Sequence, residues 1–186
     1  MVKNHEDTLS LAKIMGDYKY LKWVLWNEFI FDERRDDVED VNDVLAYLHS
    51  RSMIVTTERE GEVWIEIKSK GHAKLKPFAG LVHNYLESCW IVIRSLVYLK
   101  KKSLTQKEWL AKIRPLGDRM FRKGEILRAE ALSQANYLNA IKFLEDAELI
   151  VSQSKEEKSG KSELSYNLTD NRAQLEVLRR WLFKFL

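Results

Sequence analysis

VLAYLHSRSMIV, residues 44–55, returns as AIKFLEDAELIV at residues 140–151, aligned without a gap at a constant offset of 96. In both copies apolar residues at three- and four-residue steps run into a short apolar end, the pattern of an amphipathic helix that turns into a strand. Both copies are followed by a polar turn and an alternating segment. After Glu60-Gly61, Val63, Ile65 and Ile67 alternate with Trp64 and Glu66; after KEEKSGKSE, Leu164, Tyr166 and Leu168 alternate in the same way. Helices that lead into a helix, a strand and a hairpin return describe a winged-helix unit. The expected fold is therefore mostly α with small β-hairpins, built as tandem winged-helix-like units joined by a long central helix.

Working outward, residues 1–75 form the first unit. Asp7 to Phe31 reads as a helix, with Asp7 or Thr8 as its cap and a weak break at Gly16-Asp17. FDERRDD is a charged connection into DVEDVNDVLAYLHSR. There Val38, Val41, Val44/Leu45 and Leu48 make an apolar stripe, and Asp36, Asp37, Glu39, Asp40 and Asp43 an acidic outer face. The basic stretch SKGHAKLK is a linker. It leads to KPFAGLVHNYLESCWIVIRSLVYLK, residues 76–100, the core of a central helix spanning 76–102 with Pro77 in its first turn. Leu81, Tyr85, Trp90/Ser88, Val92, Leu96 and Leu99 recur along one side of it. His83, Asn84, Glu87 and Arg94 interrupt its apolar character, and centrally placed charges make a membrane span costly, so a buried protein helix is expected.

Residues 103–169 form the second unit. Thr105 and Glu108 have capping-box spacing, in which each side chain satisfies the other's free backbone N–H. Pro115 is expected to kink or divide the helix that follows, with Gly117 and Gly124 weakening it further. The chain closes with an amphipathic helix over residues 170–186. Its Leu175, Leu178, Trp181/Leu182 and Phe185 can close the core of the second unit, or lie on an anionic bilayer.

The chain has 186 residues, 45% apolar and 32% charged, with six Trp among 20 aromatics, which suits one or two packed domains. A formal charge of +3 gives no general case for nucleic acid. The lone Cys89 excludes an internal disulfide and fits a reducing, cytoplasmic setting as a small core residue. MVKNHEDTLS lacks the apolar core of a signal peptide. Charge is distributed unevenly. Residues 32–47 hold seven acids and two bases, which argues against DNA readout by that helix, whereas residues 100–128 hold ten bases and three acids. The basic segment includes Lys112, Arg114, Arg119, Arg122 and Lys123, and suits solvent, an anionic protein, a membrane surface or nucleic acid.

No catalytic constellation is visible. His83 and Glu87 stand four apart and could pair, but two ligands without a third do not make a metal site. His5, His49 and His72 have no acidic or cysteine partner at ligand spacing. No Gly-rich phosphate loop, Ser-centred elbow or zinc signature occurs, so no metal and no cofactor is expected. The candidate interaction surface is His83, Asn84, Glu87 and Arg94 on the central helix with Arg119, Arg122 and Lys123 in the basic segment.

The order of segments resembles the C-terminal region of the membrane-associated glycerol-3-phosphate acyltransferases, the large bacterial and mitochondrial type. YLKWVLWNEFIFDERRDDVEDVNDVLAYLHSRSMI is similar to the helical stretch that follows their catalytic domain, and LVHNYLESCWIVIRSL to an aromatic helix of that region. SLTQKEWLAKIRPLGDRMFRKGEILRAEALSQANYLNAIKFLEDAELI carries it further, with a glycine at Gly124, an acid at Glu130 and an acidic-apolar pair before a strand. The resemblance covers about Tyr20 to Ile150. It implies acyl transfer from an acyl thioester to the 1-hydroxyl of glycerol 3-phosphate at the inner membrane face. The family's His-x4-Asp motif is absent: five positions after His5, His49, His72 and His83 stand Ser10, Ile54, Pro77 and Ser88. The family's basic and Pro-Glu-Gly substrate motifs are absent too. The resemblance therefore implies a non-catalytic C-terminal domain or subunit that packs on an acyltransferase catalytic domain, with peripheral contact to an anionic membrane. The alternatives are a free-standing tandem winged-helix adaptor of a chromosome-condensation-type or other protein complex, and a DNA-binding winged-helix protein.

Overall fold

In both copies of the repeat a helix ends on one residue in the left-handed conformation and turns directly into a strand. In a computed structural model that describes residues 8–156 and 162–186, helix α2 (Asp37–Ser50) is followed by Ser52 at φ 56°, and Met53 N–H donates to the Leu48 carbonyl at 2.9 Å. Helix α5 (Gln134–Asp146) is followed by Glu148 at φ 56°, and Leu149 N–H donates to the Leu144 carbonyl at 2.9 Å. These positions lie 96 apart, pair for pair. The six-to-one bond satisfies a helix-end carbonyl that would otherwise lack a partner and redirects the chain by a fixed angle. Strands β2 (Ile54–Arg59) and β5 (Ile150–Glu156) follow at once.

The chain divides into two compact units between Gly80 and Leu81. In the first, β1 (Thr8–Ser10) leads into α1 (Leu11–Val24), then α2, β2 and β3 (Glu62–Ile67). The sheet is antiparallel with order β1-β3-β2, in a register that places Leu9 opposite Ile65 and Ile54 opposite Ile67. Glu60 and Gly61, at φ 54° and 79°, form the two-residue turn of the β2–β3 hairpin. Val24, Val41, Ile54 and Ile65 are buried in this unit.

Three expectations for this unit are corrected. Thr8–Ser10 is a strand on the edge of the sheet, and the Ser10 hydroxyl caps α1 by accepting from Lys13 N–H at 3.3 Å; Asp7 lies outside the described residues. The helix runs unbroken through Gly16 but stops at Val24 instead of Phe31. Trp26 stacks on Phe31, 5.6 Å between ring centroids and 8° between planes, whereas five positions along a helix point about 140° apart. The acidic face of α2 is not simply solvated either. Asp37 accepts from Lys22 at 2.7 Å, Asp40 from Tyr18 at 3.0 Å and from Arg35 at 2.7 Å, so these carboxylates tie α2 to α1 and its loop.

Helix α3 spans Ser69–Leu99, seven residues earlier than the sequence suggests, and Pro77 sits inside it. The stretch read as a linker is helical because Gly71 admits a close approach. A Cβ there would lie 2.3 Å from the Met53 carbonyl oxygen and 2.9 Å from Ile67. Among the described residues no helix is long and apolar enough to cross a membrane.

The second unit contains α3 from Leu81 onward, β4 (Leu104–Thr105), α4 (Gln106–Arg122), a 3₁₀ turn (Ala129–Leu132), α5, β5, β6 (Ser162–Leu168) and α6 (Arg172–Phe183). Its sheet is again antiparallel, in the order β4-β6-β5. The polar turn through Glu157 and Lys161 lies outside the described residues. Tyr85, Val92, Leu96 and Leu99 of the expected stripe are buried, but Leu81 is 65% exposed. Burial begins at Tyr85, where the helix meets elements of its own unit: Ser88 bonds the Ala131 carbonyl at 2.8 Å, and Ser95 accepts from the Trp109 indole at 2.8 Å. Leu175, Leu178, Trp181 and Leu182 of α6 are buried in this unit.

The expected capping box of Thr105 and Glu108 is present. Pro115 does not divide α4, which is one helix of 17 residues. Gly117 is a contact point: a Cβ there would lie 2.5 Å from the Tyr137 hydroxyl and 3.0 Å from Leu132. Gly124, at φ 68°, is where α4 ends, with Glu125 N–H donating to the Met120 carbonyl at 2.9 Å as in α2 and α5.

Two sets of variants test these points by urea denaturation. Ser52→Gly and Glu148→Gly remove the side-chain cost of the left-handed conformation and should each stabilise the protein by about 1 kcal/mol, whereas Gly124→Ala should cost about as much. The buried Tyr137 hydroxyl has no hydrogen-bond partner among the described residues. Tyr137→Phe should therefore stabilise by roughly 1 kcal/mol. Gly117→Ala should cost about 2 kcal/mol, and less in the Tyr137→Phe background. Burial pushes the Tyr137 hydroxyl from 10.0 up to about 12. Its folded-state proton is held more tightly than the unfolded one, so this contribution to stability is full below pH 10.0 and is lost as pH rises to about 12. Tyr137→Phe should remove that part of the alkaline transition.

Candidate interaction surfaces

The polar edge of α3 is largely consumed inside its own unit. Glu87, 1% exposed, accepts from Leu127 N–H at 2.8 Å and from Arg128 N–H at 3.0 Å, one bond on each carboxylate oxygen. Those two amides belong to the loop between α4 and the 3₁₀ turn. A carboxylate so deeply buried is sustained by such direct backbone bonds. His83 stands one helical turn earlier. Its Nε2 lies 2.7 Å from the Phe185 carbonyl oxygen, and its Nδ1 lies 3.3 Å from Arg128 Nε. Glu87 Oε1 lies 3.6 Å from the same Nδ1. Asn84 is half-buried, and its carbonyl accepts from the Ser88 hydroxyl at 2.9 Å.

Glu87 and His83 join α3 to the loop after α4, and His83 also joins it to the residues after α6. They form no nucleophile–base pair. Among the described residues no group of three or more His, Cys, Asp or Glu side chains is placed to hold a metal ion.

The remaining residues of the expected surface are exposed. Arg119, Arg122 and Lys123 lie at the C-terminal end of α4, where the helix dipole favours cations. Arg94 points outward from α3 with Trp90 beneath it, 5.9 Å from the ring centroid, and Glu125 at 3.5 Å. Arg94 and Arg119 share a groove with Lys100 and Arg179, floored by Leu96, Leu116 and Leu175, with a volume of about 340 Å³. Arg122 and Lys123 do not line it. Sequence spacing could not assemble this groove, because Arg94, Arg119 and Arg179 come from three helices far apart in the chain. The one visible signal is Arg179 at the border of the apolar face of α6.

The first unit presents a different surface. Beyond α1, Trp26, Phe29 and Ile30 are 44%, 41% and 104% exposed, and Val44 and Tyr47 are exposed on α2. Composition conceals this exposure, since an apolar run in a sequence gives no sign of whether anything covers it.

Glu87 offers a test of how the polar edge works. Glu87→Ala strands two loop amides and should destabilise the protein by about 3 kcal/mol in urea melts, while Glu87→Gln, which keeps one acceptor oxygen, should cost less. Amide exchange at Leu127 and Arg128 should accelerate in both variants, and more in the alanine variant.

The glycerol-3-phosphate acyltransferase C-terminal region family model matches residues 1–153. No curated protein matches the chain, and no solved structure does. The matched span contains the whole first unit and the second unit as far as β5, including Glu87 and both amides that it holds. On that match the chain belongs to the family of glycerol-3-phosphate acyltransferase C-terminal regions.

Proposed function

We propose that this chain is the non-catalytic C-terminal domain or subunit of a glycerol-3-phosphate 1-O-acyltransferase and that it packs on a catalytic domain carrying the His-x4-Asp motif. The observation that carries the reading is the family match over residues 1–153, taken with a sequence in which no histidine has an aspartate five positions on. The catalytic base and its orienting carboxylate then belong to the partner domain, as does acyl transfer to glycerol 3-phosphate in phospholipid synthesis. The site of action is the cytoplasmic face of the membrane.

Each unit is a winged-helix-like module. Support comes from the element order strand, helix, helix, strand, strand, and from sheet orders β1-β3-β2 and β4-β6-β5, which place the first strand beside the last in both. The helices that precede the hairpins do not suit DNA. On α2 stand Asp37, Glu39, Asp40 and Asp43 without a Lys or Arg, and α5 carries Glu145 and Asp146 against Lys142. A polyanion would meet net negative charge on both. The exposed Trp26, Phe29 and Ile30 supply the docking patch for the catalytic domain, because large apolar side chains exposed close together favour a protein partner.

Co-purification with an acyltransferase catalytic domain tests this. The wild-type chain should associate at micromolar concentration, and Phe29→Ser combined with Ile30→Asp should abolish association while leaving the circular dichroism spectrum unchanged. Failure of the wild-type chain to associate, or undiminished association of the double variant, counts against the packing.

A further inference from the structure

We infer that the groove between the end of α3, α4 and α6 is a binding site for a phosphate monoester dianion. Four cations line it: Arg94, Lys100, Arg119 and Arg179. Two of them already have an acidic neighbour, Arg94 with Glu125 at 3.5 Å and Arg179 with Glu176 at 2.9 Å. Lys100 and Arg119 have no ion-pair or hydrogen-bonding side-chain partner among the described residues, so the groove holds two uncompensated positive charges. A phosphate monoester carries about 1.5 to 2 negative charges at neutral pH, which matches that surplus, whereas a phosphodiester or carboxylate supplies a single charge.

The floor is apolar. Leu96, Leu116 and Leu175 lie beneath the cations, and Arg94, Lys100 and Arg119 are exposed at the rim, where an anion from solvent can reach them. A volume of about 340 Å³ is at the lower end of small-molecule sites, large enough for a phosphoryl group and the carbon skeleton next to it. The two arginines supply planar donors for phosphate oxygens, and Lys100 supplies a mobile point charge at the rim. Tyr98 also lines the groove, and Lys112 lies 5.4 Å from its ring centroid, adding positive potential at one end. These charges belong to the second unit alone and are independent of the acyltransferase reading.

Such a phosphate could arrive free in solution or as the headgroup of a lipid, and two probes separate these sources. Inorganic phosphate is titrated into the full chain while amide resonances of α4 and α6 are followed. In parallel, the chain is sedimented with phosphatidylcholine vesicles containing a minority of phosphatidate, and with vesicles brought to the same surface charge by phosphatidylglycerol, a phosphodiester. Saturable shifts at Arg119 and Arg179 with inorganic phosphate assign a soluble ligand. Sedimentation that prefers phosphatidate over charge-matched phosphatidylglycerol assigns a membrane-borne one. In either case Lys100→Gln with Arg119→Gln should weaken the response by about tenfold, and Arg122→Gln with Lys123→Gln, outside the groove, should change it by less than about twofold. Equal losses in the two double variants, or no saturable shift with inorganic phosphate together with equal sedimentation of the two charged vesicles, would overturn the assignment.

Discussion

A single backbone hydrogen bond, made twice, carries the architecture of each unit. When Met53 N–H reaches back to Leu48, and Leu149 N–H to Leu144, a helix ends on one left-handed residue and the next residue is already positioned for a strand. No loop intervenes, so the side of the strand that meets the core is decided by the helix before it. Ile54 and Ile150, the first strand residues after the turn, are both 2% exposed. The hairpins then follow by pairing, and the early strands β1 and β4 add to the free edges of β3 and β6. Neither turn residue is glycine; Ser52 and Glu148 hold a conformation that costs each of them energy because the packing on both sides requires it.

The second unit shows how a long helix becomes specific. From Tyr85 to Leu99 α3 is apolar enough to be buried, and apolar burial alone does not choose a rotation about the helix axis. The polar groups choose it. Glu87 must find the Leu127 and Arg128 amides, Ser88 the Ala131 carbonyl, and Ser95 the Trp109 indole. Each bond satisfies a group that would be expensive to bury alone, so a helix turned by one residue would lose all of them together. Of the charges that remain outside, Arg94, Lys100, Arg119 and Arg179 border a common groove.

Much of this could be read from the sequence. The offset of 96 locates both helix-to-strand turns, the alternation in Val63–Ile67 and Leu164–Leu168 marks the return strands, and Thr105 with Glu108 marks the start of α4. Errors fall where local rules meet tertiary contacts. Pro77 reads as a helix start and Pro115 as a break, yet both lie within helices. Gly71 reads as part of a linker and Gly117 as a weak point in a helix, and both are places where another part of the fold comes too close for a side chain. Propensity describes a chain in water, and a tertiary contact can offset the cost of a proline or glycine several times over.

The sequence by itself therefore determined the periodicities, the repeat, the lack of a His-x4-Asp pair and the unequal distribution of charge, because each is a property of residue order. Only the tertiary structure decided that Glu87 is a buried anchor while Arg119 is a free cation, and that Arg94, Lys100, Arg119 and Arg179 border one groove. Burial and pairing depend on which distant segments meet. Residues 25 or 60 positions apart carry no periodic signal of their meeting, and the electrostatic character of a site is the sum of charges that only folding brings within reach of one another.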